Sequence, residues 1–221
     1  MTISHADLAV LAGRSYSGPQ SGTVALDVRY DLIPRGNELI VVVPGTHPQD
    51  PLDWIRDLRA IPRWFPRIGP CHSGFGSGGS ALWQRVRLDV ASEARRIVYT
   101  GHSLGGALAQ VLAAHHAADG LAPCRVVTFG APRVGFLNPY FGRLVRSALE
   151  AAEYWRAADI VPDEPWRVMG YSHPTRPIHI GTPIPGLSPG DVLADAMKLP
   201  EAIAGNHSIE LYASDLTALG L

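Results

Sequence analysis

The chain has 221 residues, of which 46% are apolar and 18% charged, with 19 basic residues against 20 acidic ones. A chain of this length can bury about 70% of its unfolded surface, which suits one hydrophobic core, so we predict a single domain over 1–221. The formal net charge of −1 lacks the basic excess of a nucleic-acid binder. No apolar run approaches the ~18 residues of a membrane-spanning helix.

The amino-terminal segment and the two cysteines give a first expectation of compartment and cofactor. The segment carries His5 and Asp7 and lacks the basic cluster of a secretory signal, so we expect a cytoplasmic protein. Cys71 and Cys124 are too few for a disulfide framework. Neither has a Cys or His at C-x-x-C spacing, so we expect no metal site.

Helical and strand patterns alternate along the chain, which is typical of an α/β fold with a mostly parallel sheet flanked by helices. The apolar run at 38–43 indicates a strand buried on both faces. The glycine-rich stretch at 74–80 leads into a helix that is predicted to begin at about Ala81. The predicted helices cover 3–11, 53–60, 81–96, 107–118, 141–152, 191–199 and 208–219, and the predicted strands cover 23–32, 38–43, 97–100, 125–129, 153–158 and 177–180.

The most informative local pattern surrounds Ser103. A short strand leads directly into Gly101-His102-Ser103-Leu104-Gly105, and an alanine-rich helix follows. A G-x-S-x-G turn is so tight that its flanking residues must be small, and it exposes the serine hydroxyl at a helix N-terminus. We therefore predict that Ser103 is a nucleophile and that the Leu104 amide donates to an oxyanion. The alternative is a glycine-rich turn with an incidental serine.

A nucleophilic serine needs a base, which in elbows of this type follows the serine and the acid in the chain. The histidine in the elbow, His102, is expected to point away from the serine. Three histidines remain downstream of the elbow helix. We favour His207, just before the last helix, where an imidazole can reach a strand end, and keep His173 and His179 as alternatives.

The base in turn needs a carboxylate that orients it. Asp159 stands at the end of an apolar segment, in a strand-to-loop position where such acids lie. We favour Asp159, with Asp163 and Glu164 as alternatives a few residues further on.

Several sequence blocks together resemble the class 3 (fungal-type) lipases of the α/β-hydrolase fold. The matching blocks are the 39–46 strand and Gly-Thr turn, Asp53-Trp54 with Asp57-Leu58, HSGF at 72–75, TGHSLGGA at 100–107, VTFGAPRVG at 127–135, DIVP at 159–162 and Tyr171-Ser172-His173. The resemblance implies a Ser103–Asp159–His207 triad and an oxyanion hole formed by Thr46 and Leu104. It also implies that His173 is structural.

The chain departs from the pattern of this family near the proposed acid and base. Arg156 stands where the family has Asn three residues before the acid, and Pro44 replaces an Arg before the Gly-Thr pair. The family's D-H-x-x-Y begins here with Asn206-His207, and Tyr212 is displaced by two positions. These departures concern residues around the triad rather than its members.

The segment 48–70 is the predicted lid, because it lies between the oxyanion turn and His72 and carries large apolar residues. The candidate substrate or lid residues are Trp54, Ile55, Leu58, Trp64 and Phe65. An apolar flap could meet acyl chains or a lipid interface. The alternative is that these side chains pack against the body of the domain. For Trp54 the two interpretations are equally favoured, whereas for Trp64 and Phe65 the flap is favoured.

Together, the residues and the resemblance predict a serine hydrolase that cleaves carboxylic esters of lipids through an acyl-enzyme, with no metal or organic cofactor. The expected partners are a lipid or small ester substrate and, transiently, a lipid interface, but no nucleic acid. One alternative is a phospholipase or acyltransferase that uses the same triad. In a phospholipase, arginines near the predicted lid could bind the phosphate of the substrate: Arg56, Arg59, Arg63 and Arg67. Another alternative is a non-catalytic lipid- or partner-binding member of the fold.

Overall fold

The computed structural model describes residues 2–17, 21–24, 28–45, 61–156, 159–181 and 205–221. Its helices are α1 (His5–Arg14), α2 (Ser73–Ser92), α3 (Leu104–Ala118), α4 (Pro139–Arg146) and α5 (Ile209–Leu219). Its strands are β1 (Gly22–Val24), β2 (Val28–Arg35), β3 (Glu38–Val43), β4 (Pro62–Phe65), β5 (Gly69–His72), β6 (Arg96–His102), β7 (Arg125–Phe129), β8 (Gly135–Phe136), β9 (Glu150–Arg156), β10 (Tyr171–Ser172) and β11 (Ile178–Ile180). Short 3₁₀ turns cover Val161–Asp163 and Arg167–Met169.

The main sheet has the strand order β1-β2-β3-β6-β7-β9-β11. Strands β3, β6, β7, β9 and β11 run parallel, and β1 and β2 are antiparallel at one edge. A second, antiparallel sheet has the order β10-β8-β5-β4. The C-terminal ends of β6, β7 and β9 therefore lie side by side, and the segments that leave them meet at one edge of the sheet.

Helices cover both faces of the main sheet, as the apolar pattern of β3 predicts. Val41 and Val43 point to the core shared with α2 and α3, whereas Ile40 and Val42 point to the core shared with α1 and α5. This alternation follows from the two-residue period of a strand. The α/β prediction is confirmed. None of the helices in these described ranges is long and apolar enough to cross a bilayer.

The helix after the glycine-rich stretch at 74–80 was predicted to begin at about Ala81, and this boundary is wrong because α2 begins at Ser73. Its glycines lie where neighbouring side chains approach the helix backbone. A Cβ on Gly76 would overlap the Phe65 ring, and one on Gly79 would lie 2.5 Å from Cβ of Val111. Close packing against α3 and β4 outweighs the low helix propensity of glycine.

The predicted boundary between a helix over 141–152 and a strand over 153–158 is also wrong. Helix α4 ends at Arg146, and β9 begins at Glu150 because Glu150 to Tyr154 pair with β7 in parallel register. Tertiary pairing overrides the helix propensity of Ala151 and Ala152. The predicted helices at 53–60 and 191–199 lie outside the described residues.

Candidate active site

Ser103 occupies the sharp turn between β6 and α3. Its backbone has φ +57° and ψ −128°, a conformation that residues with a side chain rarely adopt. The Ser103 N–H donates to the carbonyl of Phe129 at 3.0 Å, and the Ser103 carbonyl accepts from the N–H groups of Gly106 and Ala107. These main-chain bonds hold the strained residue in place.

Two glycines make this turn possible. A Cβ on Gly101 would overlap the backbone of Gly105, and a Cβ on Gly105 would overlap the carbonyl oxygen of Val43. The predicted need for small residues on both sides of Ser103 therefore has a direct steric cause.

Leu104 is the first residue of α3, so its N–H has no acceptor within the helix and lies at the positive end of the helix dipole. This is the position expected of an oxyanion donor. The second predicted donor, Thr46, lies outside the described residues, which stop at Gly45 on this segment.

Asp159 and His207 are in direct contact. Nδ1 of His207 lies 2.9 Å from Oδ2 of Asp159, and both side chains are buried. The Val161 N–H donates to Oδ1 at 3.0 Å, and the Tyr212 hydroxyl donates to Oδ2 at 2.6 Å. With His207 as the third donor, this buried carboxylate is well compensated for its lost hydration.

The tautomer of His207 follows from this contact. An acidic partner at Nδ1 places the proton there and leaves the lone pair on Nε2. Nε2 is buried and has no hydrogen-bond partner among the described residues. The arrangement therefore provides a proton acceptor that is already oriented by a carboxylate.

Gly130 joins the elbow to the acid–base pair. It follows Phe129, whose carbonyl accepts from Ser103, and it adopts a left-handed φ of +56°. A Cβ at this position would lie 2.8 Å from Oδ2 of Asp159 and 3.1 Å from Cε1 of His207. Ser103 at the end of β6 and Asp159 beyond the end of β9 thus lie at the same corner of the sheet, where Gly130, at the end of β7, packs against Asp159 and His207.

His102 does not simply turn away from the site. Its ring centroid lies 4.4 Å from that of His207, and its Nδ1 lies 2.8 Å from the hydroxyl of Tyr16. Burial, with the adjacent His207 as a second cause, holds the pKa of His102 well below its usual range, so it is neutral beside the base. Sequence reasoning missed this contact, because alternation along a strand does not reveal which rings meet at its end.

The alternative bases are committed to other contacts. Nδ1 of His173 lies 2.9 Å from Oε2 of Glu153, and its Nε2 lies 2.8 Å from the carbonyl of Pro162. His179 lies on the edge strand β11, where its ring packs against Trp155. Neither ring has the free, oriented nitrogen of His207.

The alternative acids are likewise engaged. Asp163 pairs with Arg133 at 2.6 Å, and Glu164 accepts from the Trp166 indole at 2.5 Å. Asp159 is therefore the one among the three candidates that contacts a histidine in the described structure.

Tyr212 is a site residue whose role the sequence did not predict. Burial, with the neighbouring Asp159 carboxylate as a further cause, raises the pKa of Tyr212 well above its usual range, so it remains a hydrogen-bond donor. The signal in the sequence was its place two residues beyond the tyrosine of the family's D-H-x-x-Y pattern, but that displacement alone assigned it no contact.

The lid prediction is partly outside the described structure and partly corrected. Trp54, Ile55 and Leu58 lie outside the described residues. Trp64 is on β4 and is 70% exposed, which keeps it a candidate for contact with substrate or an interface. The structure contradicts a flap position for Phe65, because its ring is buried in the core against Gly76 of α2.

Comparison with known families decides the classification. The family model described as Lipase (class 3) matches residues 40–169, more than half of the chain. The chain belongs to the class 3 lipase family. The resemblance drawn from the sequence blocks is thereby confirmed.

Individual relatives agree with this family. The secreted mono- and diacylglycerol lipase 1 of Fusarium solani is 33% identical over 147 residues, 62% of this chain and 42% of that protein. Phospholipase A1-II 1 of Oryza sativa subsp. indica is 37% identical over 145 residues, 58% of this chain and 34% of that protein. The chain thus spans less than half the length of these relatives, and its cytoplasmic location stays a prediction.

A solved structure supports the fold. The Rhizomucor miehei triacylglyceride lipase superposes with a TM-score of 0.70 at 21% identity, over 86% of this chain and 91% of that one. At this identity the likeness concerns the fold alone. The predicted α/β-hydrolase-like architecture is confirmed.

Proposed function

We propose that this protein is a carboxylic ester hydrolase that cleaves acyl esters of lipids with Ser103, Asp159 and His207. The observation that carries the proposal is the buried Asp159–His207 contact, with an oriented Nε2, beside a strained serine at a helix N-terminus. Family membership supports the same chemistry.

In the proposed mechanism, the Ser103 hydroxyl oxygen attacks the ester carbonyl carbon while Nε2 of His207 takes the proton. The Leu104 N–H, with the proposed Thr46 donor, stabilises the oxyanion. His207 then protonates the leaving alcohol, and the acyl group remains on Ser103. Water attacks this acyl-serine by the same route, with His207 as base, and releases the fatty acid.

Asp159 assists by holding the tautomer of His207 and by stabilising the imidazolium that forms in each half-reaction. Its two further donors, the Val161 N–H and the Tyr212 hydroxyl, supply one hydrogen bond to each oxygen of this buried carboxylate.

A phospholipid is the second candidate substrate. The observation in its favour is the 37% identity to a protein named as a phospholipase A1. Of the arginines predicted to meet phosphate, Arg67 is held by Asp119 at 3.1 Å, whereas Arg56 and Arg59 lie outside the described residues. Arg63 is exposed next to Trp64 on β4, which also suits transient contact with a lipid interface.

The deciding experiment compares hydrolysis of p-nitrophenyl esters from C2 to C16, triglyceride and phosphatidylcholine by the wild-type protein and by Ser103→Ala. The active sites are counted with a serine-reactive phosphonate. We expect turnover of long-chain esters by the wild type, background turnover by Ser103→Ala, and phosphonate mass on Ser103 alone. Equal turnover by the two proteins, or no phosphonate adduct, would overturn the proposal and favour a binding role.

A further inference from the structure

Three positions at which the sequence departs from the family pattern contact one another in the fold. The guanidinium Nη1 of Arg156 donates to Oδ1 of Asn206, and the Arg156 backbone N–H donates to the Tyr212 hydroxyl at 3.0 Å. Since that hydroxyl donates onward to Asp159, the departures form one network that ends on the proposed acid.

The side chain of Arg156 bridges two segments on the base side. Its Nε donates to Oδ2 of Asp215 on α5 at 2.8 Å, while its Nη1 holds Asn206, the residue directly before His207. Gly181 leaves room for this pair, because a Cβ there would lie 2.8 Å from Oδ2 of Asp215 and 3.1 Å from Cγ of Arg156. The guanidinium therefore ties the segment 205–208 to α5.

The main chain of Arg156 contacts the acid side. Its carbonyl accepts from the N–H of Asp159 at 3.1 Å, and its N–H is the donor to Tyr212 described above. Arg156 ends β9, so its backbone is fixed by parallel pairing with β11. One residue on a rigid strand thus touches both the acid turn and the segment that carries the base.

From these contacts we propose that Arg156 is a positioning residue for the triad, an inference that rests on the proposed function. Its guanidinium fixes Asn206, and through the chain it fixes His207, so that Nδ1 stays in line with Asp159. The planar fork matters because its separate N–H groups reach two different acceptors, which a lysine ammonium on a flexible stem cannot do in the same geometry. The hydrogen bond from Nε to Asp215 fixes the orientation of the Arg156 guanidinium.

A purely structural role would give a different outcome. In that case, loss of the guanidinium would lower the melting temperature, but each remaining folded active site would turn over at the wild-type rate. A positioning role predicts that the folded enzyme itself is slower, because a displacement of about 1 Å in a catalytic group can cost on the order of 10²-fold in rate.

The test uses Arg156→Met in the full chain, with Arg85→Met as the matched control. Arg85 lies on α2 in an exposed pair with Asp89, and the buried residues of α2 belong to a different core cluster from those of α5. Each protein is measured for melting temperature, for kcat and KM on the ester that the wild type prefers, and for the rate of phosphonate inactivation. We expect Arg156→Met to lose roughly 10- to 100-fold in kcat and in inactivation rate, with KM little changed, while Arg85→Met matches the wild type.

Two further variants keep the test decisive if Arg156→Met folds poorly. Asp215→Asn retains the arginine and the packing but weakens its orientation, so we expect a smaller loss of kcat. Arg156→Ala leaves space for a guanidinium ion, and we expect low, non-denaturing concentrations of guanidinium to raise its kcat while equal methylammonium does not.

The outcomes separate this inference from the proposed function. If the wild type hydrolyses no ester, or does so no faster than Ser103→Ala, the proposed function fails and the positioning role fails with it. If the wild type is active but the Arg156 variants keep its kcat per titrated site, or guanidinium and methylammonium act alike, only the positioning role of Arg156 is overturned.

Discussion

The elbow around Ser103 and the proposed acid–base pair, Asp159 and His207, lie at the same corner of the sheet but are built in different ways. The elbow is fixed by backbone contacts within a short stretch and against β3, with glycines where no side chain fits. The acid–base pair is assembled from side chains on β9, on the turn after it, on the segment 205–208 and on α5.

This difference determines how each half should fail. The elbow depends on excluded volume, so it should break when atoms are added. The acid–base pair depends on donors and acceptors that are buried together, so it should break when polarity is changed at constant shape. The following predictions test this contrast, beginning with the largest effect.

The largest effect is expected from Gly105→Ala. The added methyl would overlap the carbonyl oxygen of Val43. Val43 is held by the pairing of β3 with β6 and Gly105 by the first turn of α3, so relieving the overlap requires a backbone shift. We expect the free energy of unfolding to fall by ~3 kcal/mol or more, with loss of activity. Chemical denaturation measures the change. Gly74→Ala is the control, since its Cβ would make only ordinary contacts with His72 inside α2, and equal destabilisation of both would contradict a steric elbow.

Asp159→Asn tests the other half at constant volume. An amide at this position presents an N–H₂ group or a neutral oxygen to Nδ1 of His207, so the tautomer is no longer fixed. We expect kcat to fall on the order of 10³- to 10⁴-fold, with the fold retained because shape and most contacts are unchanged. Steady-state kinetics with circular dichroism give the answer, and a loss below tenfold would exclude Asp159 as the orienting acid.

The same contrast explains how much the sequence could reveal. Ser103 and its flanking glycines were predicted because the constraint is local: strand, tight turn and helix are adjacent in the chain. Asp159 and His207 could be favoured by their order and position, but neither their mutual contact nor that of His173 with Glu153 could be inferred from the sequence.

Tyr212, Arg156 and Gly130 could not be assigned from their own neighbourhoods. Their roles depend on partners that are tens of residues away in the sequence. The hydrophobic pattern of a strand or helix does not predict a hydrogen bond between β9 and α5. The glycines of α2 were not predicted to be helical for a related reason. Their low helix propensity argues against a helix, but their lack of a side chain allows Phe65 and Val111 to pack closely against the helix backbone. Long-range packing decides such positions.

Tyr212→Phe should produce a smaller loss than Asp159→Asn. The change removes one of three donors to Asp159 and leaves the Arg156 N–H without its acceptor. We expect a loss of ~1–3 kcal/mol in stability, from the unpaired buried groups, and roughly tenfold in kcat. Tyr30→Phe serves as a control, because Tyr30 is equally buried but belongs to the core on the α2 side of the sheet. Similar kinetic losses in both variants would show that the effect is general rather than due to the acid.

The smallest effect concerns His115, near the far end of the helix that begins at the elbow. Burial lowers the pKa of His115 to about 4, against the attraction of Asp119. Its Nε2 lies 2.9 Å from the Ser80 hydroxyl, and its ring stacks on Trp83. Because the unfolded chain takes up the proton near pH 6.5, the stability that depends on neutral His115 is present above that pH and is lost as the pH falls from about 6.5 toward 4.

One pH unit below 6.5, this group alone should cost roughly 1.4 kcal/mol, and the lowered pKa values of His102 and His116 act in the same direction. Melting curves from pH 7.5 to 5 for the wild type and His115→Gln measure the contribution, with a shallower slope expected for the variant. Parallel slopes for the two proteins would exclude His115 as the acid-sensitive group and leave His102 and His116 as the buried histidines with lowered pKa values.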